Sequence, residues 1–243
     1  MALGPSPFIF GSLAIVIVVA AILHRISGQG FGTVTAPFVA LFAPDHMPAT
    51  VLLLGAMVTS LGVGIDFRDV KLREISPAIL GRFLGTIPAV WLVGLVAGSS
   101  LLGLSVAAMI LLAVALSLAG ITVAKTPTSL LAAGGLSGFM GTLTSVGAAP
   151  LGLIYQNDEA KVARPTLNAY FLLGVVFSIG GLALGGLMRA EHLLTAAALS
   201  PFILLGVWLA RPLARRTERS SLKVAALCLA SFAAILLIVR SLG

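Results

Sequence analysis

The residues with the most chemical potential form one unusual pattern that occurs twice in the chain. Ser27–Pro37 interrupts a strongly apolar stretch with glycines and hydroxyl side chains, and Ser137–Pro150 does the same about 110 residues later. Glycines allow a ligand to approach the backbone closely, and hydroxyl groups donate hydrogen bonds. Broken hydrophobic segments at corresponding positions of two halves are typical of a transporter binding site.

The proline that closes each copy indicates where a new helix begins, because proline lacks the N–H group that is unpaired at the first helical position. We therefore expect half-helices that begin at Pro37 and Pro150, with free N–H groups over 35–38 and 147–151. Helix N-termini carry partial positive charge and bind anions. The pattern predicts an anion site, whose candidate residues are Gln29, Gly30, Gly32, Thr33, Thr35, Thr142, Thr144, Ser145 and Gly147. Alternatively, these small residues only allow tight helix packing.

Arg82 is the tenth candidate for this site. It lies several residues inside an apolar segment, between Gly81 and Gly85. A charge at that depth usually faces the protein interior or a water-filled path. We therefore expect the positive charge of Arg82 to hold an anion there. The alternative is that its long side chain extends to the cytoplasmic surface.

The composition places these motifs in a lipid bilayer. Of the 243 residues, 59% are hydrophobic and 9% are charged, and the mean hydropathy is +1.13. The net charge of +7 comes from basic residues in loops beside apolar segments, which is typical of membrane insertion and argues against a nucleic-acid partner. One cysteine and three scattered histidines predict neither a disulfide nor a metal site, and no cofactor is expected.

Ten apolar segments predict an all-α polytopic membrane protein, since continuously apolar runs are unlike the alternating strands of a barrel. Three of the ten are short, and they lie in the two motif regions. The predicted segments are 8–23, 33–42 (short), 48–65, 75–97, 101–123, 129–139 (short), 146–155 (short), 165–187, 193–209 and 222–239.

Loop charge predicts how these segments cross the membrane. Basic residues mark cytoplasmic loops, and they cluster in four places: Arg68, Lys71 and Arg73; Lys125; Lys161 and Arg164; and Arg211, Arg215, Arg216, Arg219 and Lys223. Lys125 and Lys161 lie on the same side only if the glycine-rich segment between them enters the membrane and returns. We therefore expect two inverted-topology repeats, 1–122 and 123–243, each with a broken or re-entrant helical hairpin and three transmembrane helices.

Five motifs lie along the chain: Gly28–Gly32 with Pro37, Leu136–Gly138, Gly141–Pro150, Tyr155-Gln156 and Arg164–Leu173. Together they resemble the sulfite exporter TauE/SafE family of bacterial membrane permeases. The resemblance covers essentially the whole chain, with one departure at Gly147-Ala148-Ala149, where the family often has consecutive glycines. It implies a permease of the bacterial inner membrane that exports sulfite or a small organosulfonate.

The distribution of acidic residues bears on the mechanism. All eight lie in or beside predicted loops, so a proton relay through carboxylates inside the membrane is not expected. An inside-negative potential drives anions outward by about 2.3 kcal/mol per charge per 100 mV. We therefore expect uncoupled, potential-driven export.

Other readings of the sequence stay open at this point. The same pathway chemistry suits an anion channel, and a structural or assembly protein is a further alternative. Gly135–Gly138 matches the Gly-x-Ser-Gly of intramembrane serine proteases, but Ser137 has no histidine in the apolar segments near it, so no enzymatic activity is expected. The patches Gly81-x-x-x-Gly85 and Gly181-x-x-x-Gly185 allow packing within the chain or in a homo-oligomer.

Overall fold

The computed structural model of the protein describes residues 6–119, 121–213 and 219–242. These residues form ten α-helices and two short 3₁₀ helices, at 44–46 and 67–69. The α-helices are α1 (Pro7–Ser27), α2 (Phe31–Phe42), α3 (Ala49–Asp66), α4 (Leu72–Val96), α5 (Ser100–Leu118), α6 (Pro127–Thr144), α7 (Ala149–Tyr155), α8 (Ala160–Leu184), α9 (Ala190–Leu213) and α10 (Arg219–Leu242).

Each predicted apolar segment coincides with one helix, which confirms the all-helical membrane class. In the described ranges, α1, α3, α4, α5, α8 and α9 are long and apolar enough to cross a bilayer. Large apolar side chains such as Trp91, Leu184 and Trp208 are exposed on the outside of the bundle. In a bilayer these side chains face lipid, because exposure to hydrocarbon carries no hydrophobic cost.

Glycines bring α4 and α6 into close backbone contact. A Cβ atom placed on Gly81 or Gly85 would overlap the carbonyl oxygens of Leu131 and Gly135 on α6. On the other side of α4, a Cβ atom on Gly181 of α8 would lie 2.7 Å from a methyl group of Val90. Both small-residue patches therefore pack within the chain. Small residues are common between membrane helices, because they let the backbones approach closely where no hydrophobic effect drives the helices together.

Ion pairs connect several turns between helices at one end of the bundle, which we call the basic end. Asp66, at the end of α3, binds Arg25 at 2.8 Å and Arg164 at 3.1 Å. Lys125 binds Asp158 at 2.6 Å and also pairs with Glu74. Burial alone would lower the pKa of Lys125, but the two carboxylates raise it above its ordinary value. Lys125 and the α7–α8 turn that precedes Lys161 therefore lie at the same end.

The opposite end of the bundle holds the end of α2, the start of α9 and the end of α10. His192, near the start of α9, contacts the carbonyl oxygen of Asp45 at 3.1 Å, and its ring lies edge-on to that of His46. Arg240, near the end of α10, donates to the carbonyl oxygen of Leu41. Of the basic loop predicted between α9 and α10, Arg215 and Arg216 lie outside the described residues, as do the side chains of Arg219 and Lys223.

The helices of the two halves pack in corresponding pairs. In chain order, α1–α5 of the first half correspond to α6–α10 of the second. The contact between α1 and α9 corresponds to that between α6 and α4, and the contact between α2 and α10 corresponds to that between α7 and α5. α3 contacts α9 as α8 contacts α4, and α3 also contacts α8 directly. α1 and α3 end at the basic end, whereas α6 and α8 begin there.

The start of the first half-helix differs from the prediction. α2 begins at Phe31, so Pro37 lies in its interior and not at its first position. The helix starts earlier because Gly30 adopts a left-handed backbone with φ 95°, which ends the break and lets the chain turn directly into a helix. The first helical bond runs from the N–H of Val34 to Gly30, so the free N–H groups belong to 31–33 and not to 35–38.

Candidate functional site

Both hairpins break with a residue in the left-handed conformation. Gly28 ends α1 with φ 80°, and Ser145 ends α6 with φ 62°. Glycine adopts this conformation without strain, whereas serine does so at a steric cost. The second break then leads into α7, which begins at Ala149, one residue before the predicted start at Pro150, so that the proline lies in the first turn.

The two breaks meet inside the bundle. A Cβ atom on Gly32 would overlap the backbone carbonyl of Ser145, so the start of α2 lies directly against the end of α6. The hydroxyl of Ser145 also donates to the carbonyl oxygen of Pro48 at 3.3 Å, which ties this break to the start of α3. The repeated motif therefore forms one site from two distant stretches of sequence.

Arg82 projects from α4 toward this site and does not reach the surface. Its side chain is 2% exposed, and Nη1 donates to the carbonyl oxygen of Ser137 at 2.6 Å and to its hydroxyl at 3.0 Å. The guanidinium also lies 5.9 Å from the centre of the Tyr170 ring, within cation–π range. Nε has no hydrogen-bond partner.

No acidic side chain of the described part of the chain neutralises Arg82. The ion pairs of this part involve Arg25, Lys125, Arg164 and Arg189 only. An uncompensated charge in the interior costs several kcal/mol, on the order of what a broken buried pair costs. A buried guanidinium without a carboxylate is therefore suited to an anion that comes from outside the chain.

Glycines make room for the guanidinium. A Cβ atom on Gly141 would lie 2.6 Å from Nη1 of Arg82, and one on Gly147 would lie 2.9 Å from the same atom. Gly174 of α8 approaches Nε even more closely. Any larger residue at these positions would displace the charged group.

A central cavity of about 60 Å³ lies where α1, α2, α3, α4 and α8 surround the second break. About 10–15 Å³ of such space holds one water molecule, so the cavity admits an ion of a few heavy atoms. Six of the ten predicted residues line it: Gly30, Gly32, Thr33, Arg82, Ser145 and Gly147. The rest of the wall is largely apolar, with Val51, Leu52, Val58, Phe171 and Val175 among its side chains, and its polar members are His24 and Thr59.

The structure does not bring the other four predicted residues to the central cavity. Gln29 lines a second cavity, described below. Thr142 bonds to the hydroxyls of Ser178 at 2.7 Å and Thr86 at 3.2 Å, so it joins α6 to α8 and α4. Thr144 donates to the carbonyl oxygen of Met140 at 2.8 Å, and Thr35 is fully buried with no partner for its hydroxyl.

The second cavity, which we call the inner cavity, has a volume of about 250 Å³ and extends toward the basic end. Its polar lining includes Gln29, Gln156, Asp158 and Arg164 together with the hydroxyl residues Ser27, Thr33, Ser117 and Tyr155, and the remaining lining residues are apolar. Gly30, Thr33 and Ala148 line both cavities, so the two are neighbours across the helix breaks.

His24 is a cavity residue that the sequence did not single out. It lies on α1 and is 3% exposed, and its Nε2 atom lies 2.8 Å from Oδ1 of Asn168 on α8. The sequence suggested only that His24 stands near the end of a span. Its spacing of one helical turn from Gly28 was the available signal, since a residue there must lie beside the break.

The serine-protease alternative meets a specific obstacle in the site. The hydroxyl of Ser137 donates to the carbonyl oxygen of Gly147 at 2.6 Å and accepts from Arg82 at 3.0 Å. The three histidines instead contact Asn168, Thr50 and Asp45. A catalytic serine donates to a general base, whereas this hydroxyl holds the second break against Arg82.

One comparison with known proteins, the scan against family models, identifies the family of the chain. No curated protein and no solved structure matches the chain at a significant level. The family model of the sulfite exporter TauE/SafE matches residues 13–237 of the 243, which is nearly the whole chain and includes both helix breaks and Arg82. A multi-pass helical membrane protein with this match is a member of a transporter family: the chain belongs to the sulfite exporter TauE/SafE family.

Proposed function

We propose that the protein is a permease of the bacterial inner membrane that exports a small oxyanion, sulfite or an organosulfonate, through the central cavity. The observation that carries this proposal is Arg82, a buried guanidinium with no carboxylate partner among the described residues. Oxyanions present several acceptor oxygens, which match the spread donors of a guanidinium. Family membership supports the substrate class.

The backbone at the first break adds further donors. The N–H groups of 31–33 precede the first helical bond of α2, and Gly32 and Thr33 line the central cavity. The N-terminus of this helix carries partial positive charge. The anion is therefore held between the guanidinium on α4 and the start of α2, and we give α7 a smaller role because it has only seven residues.

We further propose that 1–122 and 123–243 are two repeats of inverted topology. The paired packing of corresponding helices supports this relation, and so do their directions: α1 runs toward the basic end and α6 away from it. Basic residues favour the cytoplasmic side, so the inner cavity opens to the cytoplasm. A cavity that connects the cytoplasm with the binding site suits an exporter.

The proposal is tested by transport in proteoliposomes with labelled sulfite, methanesulfonate and chloride. We expect saturable flux of sulfite or methanesulfonate that exceeds the flux of chloride. Counterflow, in which unlabelled anion on one side accelerates uptake of labelled anion, is expected of a carrier and not of a channel. Absence of flux for both oxyanions, with protein that is folded and inserted, would contradict the proposed function.

A further inference from the structure

The imidazole of His24 is a buried titratable group in the wall of the central cavity, and the proposed function leaves it without a role. The side chain is 3% exposed, and its Nδ1 atom has no hydrogen-bond partner. More than about 90% of buried polar groups in proteins are paired. An unpaired ring nitrogen in a cavity wall therefore points to a ligand that supplies the missing hydrogen bond.

The neighbouring amide determines which ring nitrogen carries the hydrogen. Nδ2 of Asn168 donates to the carbonyl oxygen of Arg164 at 3.0 Å, and a carbonyl can only accept. Oδ1 of Asn168 must then be the atom that faces Nε2 of His24, at 2.8 Å. Because this oxygen also can only accept, Nε2 carries the hydrogen, and the neutral imidazole has a bare lone pair at Nδ1.

A bare lone pair is unfavourable beside an oxyanion, whose oxygens are also acceptors. Protonation reverses the interaction, because Nδ1 then donates a charge-assisted hydrogen bond. It also places a second positive charge near that of Arg82, which suits an ion such as sulfite that carries two negative charges.

We propose that binding of an oxyanion in the central cavity is linked to protonation of His24 at Nδ1. The proton comes from a buffer acid in solution, which becomes its conjugate base, or from the O–H of a protonated anion such as hydrogensulfite, which becomes sulfite. That bond breaks as the N–H bond forms, and the N–H group then donates to the anion. This inference rests on the proposed function and extends it, since the bound state then includes a proton as well as the anion. The distribution of carboxylates alone does not predict a role for protons.

The charged groups around His24 favour this linkage. Arg25 on α1 and Arg164 on α8 both pair with Asp66 of α3, so these three groups carry a net positive charge, and Arg82 of α4 adds another. The titratable groups described on the other helices against α1 lie outside the wall of the central cavity: Glu191, His192 and Arg211 on α9, and Arg240 on α10. An empty cavity therefore opposes protonation of His24, and a bound anion relieves that opposition.

Linkage is reciprocal, so the anion raises the proton affinity of His24 and the proton raises the anion affinity by the same factor. This reciprocity sets the direction in which anion affinity changes with pH. The loaded site holds one more proton than the empty site, so anion affinity is highest at low pH and falls as pH rises through the range in which the loaded His24 loses its proton.

Calorimetric titration of the purified full-length protein in detergent tests this linkage. Methanesulfonate is titrated near neutral pH, and sulfite in alkaline buffer, where the free ion carries no proton. Each titration is repeated in two buffers of different ionisation enthalpy, which gives the number of protons taken up per bound anion. For the wild type we expect an uptake between zero and one proton, with affinity that falls as pH rises.

The matched variant is His24→Gln. The glutamine amide can still donate to Oδ1 of Asn168, but it offers no base at the position of Nδ1. We expect this variant to bind the anion with no proton uptake and with a flat pH profile. Equal proton uptake by wild type and variant would overturn the inference.

A second variant covers the case in which His24→Gln does not fold. In Asn168→Asp, a carboxylate accepts from Nε2 and stabilises the protonated ring. We expect proton uptake to persist to higher pH than in the wild type, and an unchanged profile would overturn the inference. Anion binding by the wild type without proton uptake would overturn it alone, whereas no binding of either anion would overturn the proposed function as well.

Discussion

At the scale of single residues, the proposed function gives Arg82 the largest part in anion binding. Replacing it with glutamine removes the charge and one or more charge-assisted hydrogen bonds, each worth about 1.5–3 kcal/mol. We expect Arg82→Gln to weaken anion binding roughly 10-fold to 100-fold, measured as the dissociation constant by calorimetry. Arg82→Lys should recover part of the loss, because a point charge lacks the planar fork of donors.

The matched control for Arg82→Gln is Arg73→Gln. Arg73 lies on the same helix but is exposed near the basic end, so its replacement removes the same charge without touching the cavity. We expect its affinity to equal that of the wild type. Equal affinities for all three arginine variants and the wild type would remove Arg82 from the binding site.

Thr142 tests whether every hydroxyl of the repeated motif binds the anion. Its bonds to Thr86 and Ser178 join three helices away from the central cavity. Thr142→Val leaves these buried hydroxyls short of a partner, which costs about 1–3 kcal/mol. We expect a lower melting temperature in detergent and an unchanged dissociation constant. Loss of affinity at unchanged stability would instead return Thr142 to the site.

At the scale of helices, close packing between α4 and α6 positions Arg82 against Ser137. A methyl group on Gly85 would overlap the carbonyl oxygen of Gly135, whereas one on Gly94 of the same helix would lie 4.0 Å from the Leu187 side chain. Overpacking typically costs about 1–3 kcal/mol. We expect Gly85→Ala to lower the melting temperature and Gly94→Ala to leave it unchanged or raise it. A similar melting temperature for both variants would contradict the close approach of the two helices.

The direction of the second hairpin is tested by labelling of single cysteines in intact cells. In a background without Cys228, cysteines at positions 125 and 161 should react only with reagents that reach the cytoplasm. A cysteine at position 99 should react from outside. The expectation rests on the ion pair between Lys125 and Asp158, which brings the two ends of the α6–α7 hairpin together. Labelling of 125 and 161 from opposite sides would contradict the inverted-repeat proposal.

Helix positions were predictable from the sequence, but some helix ends were not. Long apolar runs identify spans because only a helix satisfies its backbone in hydrocarbon. The sequence predicts the end of α6 at Phe139, and the helix ends at Thr144. The longer helix is possible because the hydroxyl of Thr142 finds partners on α4 and α8, and that of Thr144 donates to the carbonyl oxygen of Met140. The early start of α2 depends on the left-handed backbone of Gly30, which composition does not reveal.

The candidate site was predictable only in part, for a similar reason. The repeated glycines and Arg82 stand out because they are unusual in apolar segments. His24 does not stand out, since it becomes a buried cavity residue only when Asn168 of α8 packs against it. Likewise, nothing in the spacing of Thr33 and Thr142 tells that the first lines the cavity and the second does not.

At the scale of the whole molecule, two broken hairpins from distant parts of the chain surround one small cavity. The inner cavity adjoins it through Gly30, Thr33 and Ala148. In the orientation we propose, the basic end lies on the cytoplasmic side, and an anion enters from there and reaches Arg82. A net negative charge that moves outward is driven by the inside-negative potential.

The central claim is that Arg82 holds an anion on an export path, and one measurement tests it most directly. Proteoliposomes loaded with labelled sulfite are given an inside-negative potential, and efflux is compared for wild type, Arg82→Gln and Arg73→Gln. We expect wild type and Arg73→Gln to release sulfite faster as the potential grows, and Arg82→Gln to release little. Equal efflux through folded wild type and Arg82→Gln, or no response of the wild type to the potential, would contradict the account.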